Sequence, residues 1–207
     1  MKKILMAVAV LAAFATGAFA QGVNLGANIS YQSEGMVGDN AKQFADDQAS
    51  SGFAAGLYVR LPFSQLISLR TGLDFQLNSY SYTQKYLTKE YDQSNFFLNL
   101  QLPLLARFNF TPGFFLEAGL DMQFNLLAQH YNEAHEDVPG KDEWNEIKDW
   151  SVFGMGPTVG VGYTMWFGLE FNARYTYGLI SAYDKDGMTL NPMRFQIDIA
   201  YWFGYKR

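Results

Sequence analysis

The sequence contains no cysteine and only two histidines, and nowhere past its first twenty residues does it hold the roughly 18 consecutive apolar residues that a membrane-spanning helix needs. Each absence closes a route. Without cysteine there is no disulfide, no redox dithiol and no thiol for lipid attachment. Without a long apolar run no helix crosses a bilayer. With two histidines, acid–base chemistry has few places to sit. Charge is scarce as well, at 17% of residues, and the formal net charge is −5. An acidic chain of this kind disfavours a nucleic-acid partner. No glycine-rich phosphate loop and no long helical periodicity appear.

What is present starts with MKKILMAVAVLAAFATGAFAQ. Lys2 and Lys3 form a charged start, Ile4 to Phe14 an apolar run, and Ala18-Phe19-Ala20 a small-residue cleavage site. This pattern predicts a secretory signal peptide over 1–20, cut before Gln21. The competing reading, an N-terminal anchor, meets an apolar run that is short for a span. The mature chain, 21–207, is then a single domain.

The rest alternates. In ISLRTGLDFQLN, Ile67, Leu69, Thr71, Leu73, Phe75 and Leu77 share one face, and Ser68, Arg70, Gly72, Asp74, Gln76 and Asn78 the other. Period two means a strand with an apolar and a polar side. The same rhythm predicts strands near 22–31, 52–62, 66–78, 94–110, 113–128, 151–163, 167–178 and 193–203. Short connections near 62–65, 111–113 and 164–166 alternate with long ones near 32–51, 79–93, 129–150 and 179–192. That layout is an all-β, eight-stranded antiparallel up-and-down barrel. Pro103 and Pro157 fall inside strands and cannot donate to a ladder, so the register is least secure beside them.

Side-chain volume decides which face points inward. The apolar face carries bulky Phe, Leu and Ile; the other is rich in glycine and small polar residues. An eight-stranded lumen has room for only one layer of modest side chains. The small polar set belongs inside and the bulky set faces lipid, which makes the barrel transmembrane rather than lipocalin-like. The charges agree: the strand cations are Arg60, Arg70, Arg107, Arg174 and Arg194, whereas every lysine past the leader lies in a long connection or at the C-terminus. Arginine suits an enclosed ion-pair network. Asp74, Glu117, Asp121, Glu170 and Asp198 balance these arginines, as buried charges require. About the turn Thr111-Pro112-Gly113, Arg107 is expected opposite Glu117 or one diagonal step away. Aromatic residues at strand ends, among them Phe63, Phe110, Phe114, Trp166 and Trp202 on the short-turn side, are expected to form interfacial girdles.

The segments NFFLNLQLPLLARFNF, GPTVGVGYTMWFGLEFNARYTYGL and RFQIDIAYWFGYKR give the chain a layout that resembles the PorT family of small outer-membrane β-barrels of Bacteroidetes. The resemblance covers nearly all of 21–207 and rests on aromatic, glycine and arginine patterns. It implies the outer membrane of a Gram-negative cell, and a founding member of that family serves protein secretion. It carries over no site residue. The C-terminus departs from the usual pattern, because Gly204 to Arg207 follow the last alternating residue, Phe203.

Catalytic candidates are sparse. The loop QHYNEAHEDVPGKDEWNEIKDW holds both histidines, and His130, Glu133, His135, Glu136 and Asp137 are conceivable ligands for a divalent cation. Their spacing fits no standard zinc motif, and a solvated acidic loop is the simpler reading. A nucleophile–base pair would need His130 with Ser94 or Ser151. Glu117 and Asp121 stand ~13 Å apart along a strand, beyond the roughly 5–9.5 Å of glycosidase carboxylates. The expectation is therefore a non-enzymatic barrel with no cofactor. It is a monomer in outer-membrane lipid, with long loops available to a protein partner. A narrow pore or small-ligand transporter is the alternative, with a lipid-modifying outer-membrane enzyme ranked behind it.

Overall fold

The computed structural model describes residues 23–37, 50–86, 89–132, 143–146, 151–180, 183–185 and 188–205. The expected signal peptide lies outside them. Ten strands are present among these residues: β1 Asn24–Val37, β2 Ser50–Pro62, β3 Ile67–Tyr86, β4 Lys89–Asn109, β5 Phe114–Asn132, β6 Glu143–Glu146, β7 Phe153–Thr164, β8 Leu169–Tyr177, β9 Tyr183–Lys185 and β10 Met188–Phe203. Antiparallel neighbours follow chain order through β1-β2-β3-β4-β5-β7-β8-β10, and β10 returns to β1. The barrel is thus closed by eight strands, with no open edge in the ring. β6 and β9 are short additions on β5 and β10.

Three short turns close one end. In the β2–β3 turn the Ser64 hydroxyl accepts from the Leu66 and Ile67 amides at 3.2 and 3.0 Å, a side-chain substitute for a turn hydrogen bond. The other two turns reverse through Gly113 and Gly168, whose φ angles of 105° and 94° suit only glycine.

Strand alternation sorts the faces. Along β2 and β8 buried and exposed residues alternate almost without break. Ile29, Phe53 and Phe75 are 63, 68 and 55% exposed, and similar residues ring the barrel. So wide a belt is stable only against an apolar solvent. The nine residues of β8 match the length a tilted strand needs to cross the hydrocarbon layer.

Three details depart from the sequence reading, and the register beside Pro103 keeps to it. The segment 79–93 is mostly a hairpin extension rather than a loop, with Tyr86 paired to Lys89. Its Tyr, Ser and Thr residues keep strand propensity after the apolar alternation has ended. Pro103 does not shift the register; the β3–β4 ladder merely skips from Thr71↔Leu104 to Asp74↔Gln101. The bulge sits instead at Leu126, where pairing passes from Asn99↔Asn125 to Leu98↔Leu127, so that Ala128 turns inward opposite Phe97. Finally, Trp202 belongs to no girdle. It is fully buried inside the barrel, because it shares the parity of Asp198 and Ala200 rather than that of Tyr201.

The charged lumen as the candidate functional site

The lumen is packed by pairing large residues with small ones across neighbouring strands. Tyr58 stands opposite Gly72, Trp202 opposite Gly26, and Phe115 opposite Gly162. A Cβ built on Gly72 or Gly162 would lie 2.2 or 2.3 Å from the facing ring, and one on Gly26 2.9 Å from it. Each inward ring therefore lies over a glycine. This arrangement lets three aromatics fit inside a ring of eight strands. Their quadrupolar faces in turn receive arginines: the Arg70 guanidinium carbon is 3.9 Å from the Tyr58 centroid, and that of Arg107 is 3.6 Å from the centroid of Phe115.

Near the short-turn end, Arg107 and Glu117 are direct cross-strand partners on β4 and β5. Arg107 Nε donates to Glu117 Oε1 at 2.8 Å, while Nη1 and Nη2 reach across the lumen to Glu170 Oε2 and Oε1 at 2.9 and 2.7 Å. Arg70 Nη1 adds a bond to Glu117 Oε2 at 2.9 Å, and Asn172 Nδ2 another at 2.8 Å. Glu170 Oε2 also accepts from Thr164 Oγ1 and Trp202 Nε1, each at 2.7 Å. Strands β3, β4, β5, β7, β8 and β10 are thereby tied together. Charges removed from water are tolerable only with this degree of pairing.

One layer further in, Arg174 grips Asp198 with two bonds, Nε to Oδ2 at 2.8 Å and Nη2 to Oδ1 at 3.0 Å. The Tyr58 hydroxyl accepts from Arg174 Nη2 at 2.8 Å and donates to Asp74. Towards the long-loop end amides predominate. Gln76 donates to Gln101, Gln101 to Asp121, and Gln32 to Asn78. There Arg194 meets Glu34 at 3.2 Å, Asp121 at 3.5 Å and the Gln123 side chain.

Nine of the ten charged positions singled out from sequence thus lie in ion pairs: Arg70, Asp74, Arg107, Glu117, Asp121, Glu170, Arg174, Arg194 and Asp198. Arg60 is the exception. It is buried but forms no ion pair among the described residues, and it lies instead over Trp202 and Tyr205 at 4.9 and 4.8 Å. Glu34 is a sixth inward acid, 3% exposed, that the sequence reading missed by ending its strand at residue 31. Its parity with Asn28, Ser30 and Gln32 was the available signal. Tyr58, Phe115 and Trp202 were missed because volume alone argued against large rings inside.

Of the other candidates, His130 is paired with Asn95 on the β4–β5 ladder, and Ser94 with Tyr131. Glu133, His135, Glu136 and Asp137 lie outside the described residues. The Ser151 hydroxyl donates to the Phe153 carbonyl at 2.8 Å. Among the described residues no three His, Asp or Glu side chains gather as a metal site.

The family described as an outer membrane protein beta-barrel domain matches residues 14–184. Among solved structures, Neisserial surface protein A is 11% identical, with 87% of this chain and 98% of that chain covered and a TM-score of 0.52. Ail, the attachment invasion locus protein of Yersinia pestis, in complex with the heparin analogue sucrose octasulfate, is 14% identical, with 87% and 99% covered and a TM-score of 0.51. These likenesses carry the fold. No curated protein sequence matches the chain significantly.

Proposed function

The chain belongs to the outer membrane protein beta-barrel domain family, and from that premise we propose that it is a closed, non-conducting and non-enzymatic barrel that serves as a membrane-embedded platform for its loops. It resides in the cell outer membrane. In this reading residues 1–20 are a signal peptide, 21–207 form one barrel domain, and the protein is a monomer in outer-membrane lipid. The quoted aromatic and glycine segments favour a PorT-like member from Bacteroidetes. Short turns and chain ends face the periplasm, as in barrels of this type, and the long loops face outward to meet a protein partner.

The observation that carries this reading is the bolt of Arg107 between Glu117 and Glu170, all with side chains 0% exposed. A conducting lumen needs mobile water and unspent charge along its length. Here the guanidinium spans the bore, with Trp202 packed beneath it. Purified protein in planar bilayers should give no steady channel steps; ohmic steps that persist after refolding controls would reverse the conclusion in favour of a pore. Protease added to intact cells should cut first within 129–150, near Lys141 or Lys148. Cleavage there only after lysis would invert the orientation.

A further inference from the structure

The short-turn mouth of the barrel holds a cation that the lumen network does not use. Arg60 is 8% exposed; among the described residues it forms no direct ion pair, and it has a hydrogen bond to the Tyr205 side chain and a through-space attraction to Glu170. Glu170 is already bound by Arg107, so Arg60 has no carboxylate of its own in direct contact, and a buried arginine in that position is relieved by a counter-ion from solution. The mouth is a cavity of about 920 Å³ lined by Arg60, Ser68, Asn109 and Tyr205 among others, with no aspartate or glutamate in its lining. Its size falls in the usual range for small-molecule sites. Ser68 is 2% exposed, and its Oγ has no hydrogen-bond partner.

The surroundings fix the character of this site. Trp202 cannot turn away from Arg60, because its Nε1 is held by Glu170. Tyr205 takes a hydrogen bond from the guanidinium, and the N–H groups left over offer the geometry that recognises carboxylate and phosphate. The nearest deeper cation, Arg107, is neutralised by Glu117 and Glu170 and competes for no anion.

We propose that the short-turn mouth is an oxyanion-binding site for a carboxylate or phosphate group, with Arg60 as its charged anchor and Ser68 as a hydroxyl donor. The oxyanion is either a small free ion or the terminus of a larger periplasmic molecule; the shared chemistry is a planar or tetrahedral oxygen cluster that takes the arginine fork.

The test is calorimetric titration of the refolded barrel in detergent micelles with inorganic phosphate, acetate and chloride at constant ionic strength. Saturable binding of phosphate or acetate, with chloride inert, is the expected result. The stronger of the two names the ligand chemistry. Arg60→Gln should weaken it at least tenfold, Ser68→Ala a few-fold, and Arg60→Lys less than Arg60→Gln. Heat-modifiable migration on gels reports whether each variant is folded, and if Arg60→Gln fails to fold, the Arg60→Lys and Ser68→Ala pair carries the test. Binding of neither oxyanion, equal binding of chloride, or affinity unchanged in the folded variants would overturn the proposal.

Discussion

In the lower lumen every oxygen of Glu117 and Glu170 has a donor, whereas in the upper lumen Asp74 and Asp121 each keep one oxygen, Oδ1, without a partner. Around the glutamates the donors are mainly arginine forks, fixed against rings. Around Asp121 they are a glutamine and a more distant arginine at 3.5 Å. Gln32 Oε1, Gln76 Oε1 and Asn99 Oδ1 are likewise unpartnered above, whereas the atoms left over beside the glutamates are chiefly donors, Arg70 Nε and Nη2, together with Ser68 Oγ and Asn172 Oδ1. Buried polar atoms are normally paired with protein or water, so the open carboxylate and amide oxygens of the upper storey call for water donors that the glutamates below do not need. The same barrel thus contains a dry, ionic lock and a wetter amide layer. Stability should concentrate in the lock.

Removing the lock's central residue tests this most severely. Arg107→Gln leaves Glu117 and Glu170 facing one another with the bridging charge gone. Breaking a buried ion pair of this kind costs about 3–5 kcal/mol. Denaturant unfolding in detergent, followed by tryptophan fluorescence, should show a loss in that range. A loss under ~1 kcal/mol would mean that the lock adds specificity but little stability.

A control on the opposite face separates lumen packing from membrane insertion. Phe75 neighbours Asp74 in sequence but faces outward, 55% exposed. Phe75→Arg should cost about 2–4 kcal/mol if it lies near the bilayer midplane, less towards an interface. The loss should be measured in lipid vesicles and shrink in detergent, whereas the Arg107→Gln loss should persist in both.

Glycine packing comes next. A methyl group on Gly72 would sit 2.2 Å from the Tyr58 ring and 2.4 Å from the Leu57 carbonyl oxygen. Gly72→Ala must therefore displace the ring that receives Arg70 and hydrogen-bonds Asp74. Overpacking of this kind costs typically ~1–3 kcal/mol. Gly35→Ala, where an added Cβ meets nothing within 4 Å, is the matched control and should be near neutral.

What could be read from the sequence follows the same division. Period-two alternation over Ile67–Asn78 and its counterparts specifies strands, their faces and the closed order, because a one-residue slip would reverse every side chain. The outward apolar belt was legible for that reason. Cross-lumen partners were not. Arg70 lies near Asp74 in sequence yet bonds Glu117, since barrel shear decides which non-neighbouring strands meet. Trp202 was misplaced because aromatic identity was weighed above strand parity. Glu34 was missed because the apolar alternation fades before the strand ends. The hairpin beyond Ser79 escaped notice for the same reason: outside the hydrocarbon layer a strand needs no apolar face.

The smallest effect expected belongs to the amide layer, and it decides whether the two storeys differ at all. Asp121→Asn removes one charge but keeps the shape and leaves an oxygen for Gln101. Arg194, which loses Asp121 at 3.5 Å, retains Glu34 at 3.2 Å and the Gln123 side chain. The substitution also relieves Oδ1 of being a charged acceptor without a donor. An amide there can donate to one of the unpartnered oxygens nearby or to water. The loss should therefore be about 1 kcal/mol or less, the scale of a single hydrogen bond exchanged for another. Measured in the same detergent and by the same denaturation as Arg107→Gln, it should be several-fold smaller. Equal losses for the two variants would show that the lumen is one continuous network, with Asp121 as firmly held as Glu117, and the division into a dry lock and a wet layer would fail.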